Sequence, residues 1–415
     1  MMKRCAVAAI VMAMIAGCSS GASVSKQSEA ANGSASVPAA AATDTSAATL
    51  GSTLGSTVSS TGPTTPNSPT DLRGLCPDPI VIQTDWNPEA EHGGIYELVG
   101  PDYVVDADNK SVTGTLTFHG ENTGVHLEVR AGGPAIGFQT PPVIMYQRPE
   151  IMLGFVGTDG AISSSVKAPV VAVFGSLEKS PLMIMWDPET YPDVNSIADL
   201  GGPQVPIRYF ESEQYMAYLV QKGVVGPGQL DGSYNGDPKV FVQENGRIAQ
   251  QGFASAEPYL YEHDLVAWHR PLKFQLIHDT GWQPYYQTLA ARPEVIEALP
   301  KCFEKLVPML QQAAVDYLDN PGRTNALILD LVPKYDTGWV YSAELAAYAV
   351  TTMGDLGLVG NGSDKTIGNF DEKRVQDFLD TALPVLDGPG SDLKPGLSAS
   401  DLYTNRFIDP TIGTR

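Results

Sequence analysis

The sequence predicts an α/β fold in two lobes. Two observations carry this. Short apolar runs of strand length alternate with helical stretches along the body of the chain. That body, about residues 76–386 with a tail to 415, is also long for a single hydrophobic core. Alternation of this kind predicts largely parallel sheets.

The elements follow in order. Residues 80–84 read as a short buried strand, and 91–98 as the start of a helix. Residues 102–130 differ: they alternate, are rich in Val and Thr, and are broken at Asp108-Asn109 and Gly120-Glu121-Asn122, which is hairpin chemistry. The Asp106/Asp108/Asn109 group reads as a turn, because Ser111 stands where a calcium loop needs glycine. Residues 151–156 are a buried strand, followed by Gly157-Thr158-Asp159-Gly160 and a helix over 161–167. Strands are expected at 170–174, 182–186, 205–209, 252–256 and 274–277, with a turn of helix at 197–200 and an amphipathic helix over 212–222. From 285 to 317 the pattern is mostly helical, and it is helical again over 325–331, 342–353 and 372–382. No internal repeat is present.

The N-terminus points to export. Met1–Arg4 is a short basic region, and the apolar run behind it, residues 6–17, is too short to span a bilayer. It ends in Ile15-Ala16-Gly17-Cys18, which is similar to the lipobox of bacterial lipoproteins, so Cys18 is expected to carry lipid. An ordinary signal peptide cut nearby, or a weak membrane anchor, is the alternative. Residues 19–70 are Ser, Thr, Ala, Gly and Pro with few charges, a composition that stays a flexible tether. No later run is long enough to cross a membrane.

Charge and cysteines narrow the partners. The chain has 26 Lys and Arg against 47 Asp and Glu, a formal charge of −21. That excess argues against nucleic acid and against a basic face docked on anionic lipid. Of four cysteines, Cys5 would leave with a signal and Cys18 would be lipidated. Cys76 and Cys302 remain, an even pair in an exported protein, where bridges persist; two buried free thiols are the other reading.

Catalytic motifs are not convincing. The six histidines show no zinc spacing, and neither HExxH nor CxxC occurs, so no metal is expected. Ser164-Ser165-Val166-Lys167 matches S-x-x-K, but the K-T-G that should accompany it is broken at Asp364–Gly368. There is no G-x-S-x-G and no phosphate loop. What remains are four strand-to-helix turns, at 85–94, 157–160, 210–214 and 256–259. In open α/β sheets ligands sit beyond the carboxyl ends of strands. Thr158, Asp159 and Ser212 can cap the helices behind such turns, which is also all that each need do. The first turn, in "QTDWNPEAEHGG", offers Trp86 as a flat face, His92 as a hydrogen-bonding group, and two glycines suited to a loop. A core tryptophan and a helix cap are the plain readings of Trp86 and His92, and a solvated acid is that of Glu257.

Five segments occur in order: "TDWNPEAEHGGIYEL", "GFVGTDGAISSS", "VVAVFGSLEKSPLMIM", "IADLGGPQVPI" and "QQGFASAEPYLYE". With the closing "SASDLYTNRFID" they resemble the solute-binding proteins of the thiamine-pyrimidine-precursor, taurine and nitrate import family, over about residues 76–409. The resemblance implies a type II periplasmic-binding-protein fold: two α/β lobes, a two-strand hinge and a ligand cleft, a Venus flytrap. It implies lobe one at 76–175 plus 278–390, lobe two at 176–277, and a tail at 391–415, behind a signal at 1–17 and a tether at 18–75. The hairpin at 102–130 is an insertion relative to the family pattern. Trp86, His92, Thr158, Asp159 and Glu257 match family positions that meet ligand, and Ser212 joins them from its turn. The implied function is capture of a small, planar, nitrogen-containing solute and its delivery to the permease and ATPase subunits of an ABC importer. No cofactor and no catalysis are expected. Other solutes, such as a sulfonate or nitrate, a pyrimidine-precursor synthase and a non-transport surface lipoprotein are the alternatives. The cysteine-rich run of the synthase branch is missing.

Overall fold

The computed structural model describes residue 66 and residues 68–414 other than 389. The signal-like segment, Cys18 and the tether as far as residue 65 lie outside the described residues. Among the described residues no helix is long and apolar enough to cross a membrane.

The strands are β1 (Ile80–Gln83), β2 (Val104–Asp106), β3 (Ser111–Phe118), β4 (Glu121–Arg130), β5 (Ile151–Val156), β6 (Val171–Gly175), β7 (Leu182–Trp186), β8 (Ile207–Arg208), β9 (Leu230–Asp231), β10 (Ala249–Phe253), β11 (Lys273–Leu276) and β12 (Thr288–Ala291). They form two sheets, a seven-stranded one in the order β2-β3-β4-β1-β5-β12-β6 and a five-stranded one in the order β11-β7-β10-β8-β9. β1 and β5 are buried at every position. That is what a continuous apolar run does when both faces of a sheet are covered. β4 instead alternates between buried and open positions, so it shows one face to water, whereas β3 is buried along most of its length. Its inner edge pairs in parallel with β1, which makes the hairpin part of the first sheet. The chain leaves that sheet after Gly175 and returns to it at Thr288, through residues 176–181 and 277–287.

The expectation of largely parallel sheets is corrected. β12 runs antiparallel to both β5 and β6, and β7 runs antiparallel to both β10 and β11. Each is the first strand after the chain changes sheet. It enters the new sheet from the connecting side and so runs against its neighbours. β12 also corrects the helical reading of residues 285–317: "TLAA" has only Thr288 as a β-branched residue and becomes a strand because it lies buried between two others.

Smaller corrections concern ends. The helix after β5 is Thr158–Ser163, because Gly157 is its N-terminal cap and the chain turns at Ser164. The strand expected at 205–209 shortens to Ile207–Arg208. The amphipathic helix is Tyr215–Gln221, with Gln214 and not Ser212 at its cap. The strand expected at 252–256 lies earlier, at Ala249–Phe253. In the hairpin, Asp106 Oδ1 accepts the backbone N–H groups of Asp108 and Asn109, which makes that acidic group a turn.

Helix Pro300–Asp319 covers the first sheet, and short helix Gly93–Tyr96 packs on it. A methyl at Gly93 would lie 2.1 Å from the ring of Tyr317, and one at Gly94 would lie 3.2 Å from Ala314. Those two glycines therefore serve close helix packing, not loop freedom. A disulfide joins Cys76 to Cys302 on the long helix. Near the C-terminus, residues 399–408 lie along β6: Ala172 N donates to Leu402 O, and Thr404 N donates to Ala172 O at 2.8 Å. Phe407 is buried there and stacks on Phe303 at 5.3 Å.

Candidate functional site

A cleft of about 870 Å³, open solvent included, lies between the two sheets. From the first sheet's side come Asp85, Trp86, Glu89, Phe138, Tyr286 and Trp339. From the second come Phe210, Ser212, Glu213, Tyr234, Gln251 and Glu257. The two sides touch across it. Ser255 Oγ donates to Glu91 Oε1, Ser342 Oγ donates to Asp264 Oδ2 at 2.7 Å, and the indole of Trp86 meets Phe210 edge-on at 5.5 Å.

Trp86 stands where β1 ends. The loop that carries it is fixed by Gly132 and Gly133 after β4. Gly132 N donates to Trp86 O at 2.8 Å, and Gly133 N donates to Asp85 O at 2.9 Å. The closeness needs bare backbone: a methyl on Gly132 would sit 2.3 Å from Thr84 O, and one on Gly133, at φ +54°, 2.4 Å from the indole. The indole continues into an aromatic wall. Phe138 and Trp339 stand 6.2 Å from it, and Phe210 leads on to Tyr234 at 4.9 Å.

His92 does not line the cleft. Its side chain is fully buried one layer back, 2.7 Å from Asp85 Oδ1 and edge-on to Phe155. It orients Asp85, which Gln287 also meets at 3.2 Å. Thr158 is likewise turned away, with its hydroxyl donating to Tyr285 O. Asp159 is buried behind the cleft. It accepts from Gly160 N and lies 3.4 Å from Trp282 Nε1. So the structure brings Trp86, Ser212 and Glu257 together and leaves His92, Thr158 and Asp159 behind the wall. The sequence reading missed Asp85, Glu89 and Glu213, each next to or within a turn it singled out. It also missed Phe138, Tyr234 and Trp339, which come from loops without any periodic signal.

The carboxylates are the unusual feature. Among the described residues no Lys, Arg or His lines the cleft. Arg208 lies behind Tyr234, 5.7 Å from its ring centre, and is engaged by Asp231 and Ser233. Burial, then the charge of Asp159, pushes the Glu213 carboxyl up to about 8. Burial pushes Glu257 up to about 7, although Phe253 N donates to its Oε2 at 2.6 Å. Burial, with Glu91, Asp85 and Glu257 adding to it, raises Glu89 well above the usual range. One Glu89 oxygen is buried with no hydrogen-bond partner.

These shifts give a stability prediction. The folded form holds protons that the unfolded chain would release near 4.5. Stability is therefore fully present below that value and falls as pH rises through about 7 and 8. The melting temperature of ligand-free protein should drop between pH 5 and pH 9. Glu213→Gln should flatten the drop, recovering about 2 kcal/mol at the alkaline end once the water reaching half-buried Glu213 is discounted. Calorimetric melts of both proteins across the range check this; parallel curves would refute it.

No family model matches the sequence, and no curated protein matches it. Solved structures resemble it in shape. The ligand-binding component of an ABC-type import system from Staphylococcus aureus, crystallised with zinc, has a TM-score of 0.49 at 9% identity, over 80% of this chain and 99% of that one. The periplasmic nitrate-binding protein NrtA from Synechocystis PCC 6803 has a TM-score of 0.47 at 10% identity, over 80% and 88%. The periplasmic aliphatic sulphonate-binding protein SsuA from Escherichia coli has 0.42 at 13%, over 68% and 89%. These are likenesses of overall shape alone.

Proposed function

We propose that the chain is the extracytoplasmic solute-binding component of an ABC importer, with a type II periplasmic-binding-protein fold. It captures a small, planar, nitrogen-bearing solute between its two lobes and presents it to a membrane permease. It binds and does not catalyse. A lipid on Cys18 would hold it near that permease. The observation that supports this best is the cleft, whose aromatic walls come from both sheets, so that a flat solute would be held by both sides at once. The motif resemblance over residues 76–409 supports the importer role.

Mass spectrometry of protein purified under native conditions should show a co-purified small molecule. Scattering should show compaction when that molecule is returned to stripped protein. A ligand that binds without compaction would refute closure of one lobe on the other. Trp86→Ala should weaken binding about fivefold or more, the loss of an aromatic contact worth ~1 kcal/mol. Affinity within about twofold of the parent would remove Trp86 from the stacking role.

A further inference from the structure

We propose that the occupant of the cleft is an organic cation, its ammonium or amidinium head set among Glu89, Glu213 and Glu257 and its flat remainder against Trp86 and Phe210. This deepens the capture reading and rests on it. The walls alone accept any flat solute; the charge is what selects.

Three carboxyl groups from the two sides face one cavity, and one buried Glu89 oxygen has no partner within the protein. Their neighbours do not balance them. Glu213 feels the charges of Asp85 at the cleft and of Asp159 behind its wall, with Gln251 from β10 and Tyr286 beside it. Glu257 faces Glu91, Tyr234 and Tyr261. Glu89 faces Glu91, Asp85 and Glu257, with Gln287 beside its carboxyl. Arg208 is spent on Asp231 and Ser233 behind the Tyr234 ring.

Buried carboxyl groups without cations either keep protons or wait for a cation to arrive. An aromatic wall beside them suits the second case, since ring faces attract cations, and attract them more strongly once water is excluded. An anion would meet the acids with no positive group to offset them. Capture then has a proton balance. A neutral Glu carboxyl gives its proton to solvent, and the carboxylate left behind pairs with the cation's N–H groups. Raised carboxyl values at Glu213 and Glu257 mean that this exchange falls near neutral pH.

The test uses three flat probes of one size and three charges: benzamidinium, benzamide and benzoate. Titration calorimetry of the stripped protein at pH 8 should show benzamidinium binding about tenfold or more tighter than benzamide, as a charge-assisted contact requires. Benzoate should not bind. Benzamidinium should bind more tightly as pH rises from 6 to 8, with a proton released to the buffer. Glu213→Gln should erase its advantage over benzamide. Equal affinity for benzamide, preference for benzoate, or no benzamidinium binding at millimolar concentration would each overturn the proposal. If benzamide or benzoate binds best and still compacts the protein in scattering, the capture reading stands and only the cation falls.

Discussion

Replacing Cys76 and Cys302 together by alanine should cost about 2–5 kcal/mol of unfolding free energy. The bridge ties the segment just before β1 to a helix 226 residues further along. Without it the unfolded chain regains the freedom of a very long loop, and loop-closure entropy grows with loop length. Cys302 is fully buried, so alanine is the right replacement: a serine hydroxyl there would add its own burial cost. Urea unfolding of the variant and of unreduced parent gives the difference directly. Thiol labelling of unfolded, unreduced parent should find neither residue. A loss under about 1 kcal/mol would mean that the denatured chain is already restrained along this loop.

The second large effect is expected at a residue with no side chain. Gly132→Ala should destabilise the protein by about 2–4 kcal/mol and weaken ligand binding together. Its methyl would fall 2.3 Å from Thr84 O and 2.4 Å from the carbonyl carbon of Asp85. Those are backbone atoms, so no rotamer change relieves the contact. The exit of β1 must move, and Asp85 and Trp86 move with it. Thermal unfolding and calorimetry on one preparation separate the outcomes. Lower stability with full affinity would mean that the loop refits around the methyl and restores Trp86.

The parts of the fold legible in the sequence share a physical cause. β5 and β7 are apolar along their whole length, and β1 as far as Gln83, because both sheet faces are covered, and such runs stand out. The β3–β4 hairpin stands out through its turn residues. β12 does not, because Thr288–Ala291 is small and helix-compatible, and its strand state is imposed by β5 and β6 on either side. At the site, Trp86, Ser212 and Glu257 could be read from their turns, and the turn at 210–214 already contained Phe210 and Glu213. Burial decides the rest. His92 and Asp85 sit seven positions apart with nothing to say which faces the cavity; the fold turns the carboxylate outward and buries the ring behind it. Phe138, Tyr234 and Trp339 reach the wall from loops far apart in the chain, where only tertiary packing sets the meeting.

The strap over β6 has a consequence for how the protein behaves in concentrated solution. β6 is the last strand of its sheet, an apolar "VAVFG" with nearly every side chain buried. A bare edge of that composition templates further strands from other molecules. Leu402 and Thr404 occupy its backbone groups at Ala172, and Leu402 and Phe407 close over the apolar side chains around it. Residues 399–408 thus act as a plug against intermolecular growth of the sheet. A protease nick at exposed Ser400 or Asn405 would leave the cleft between the sheets in place and turn the protein into a seed for self-association.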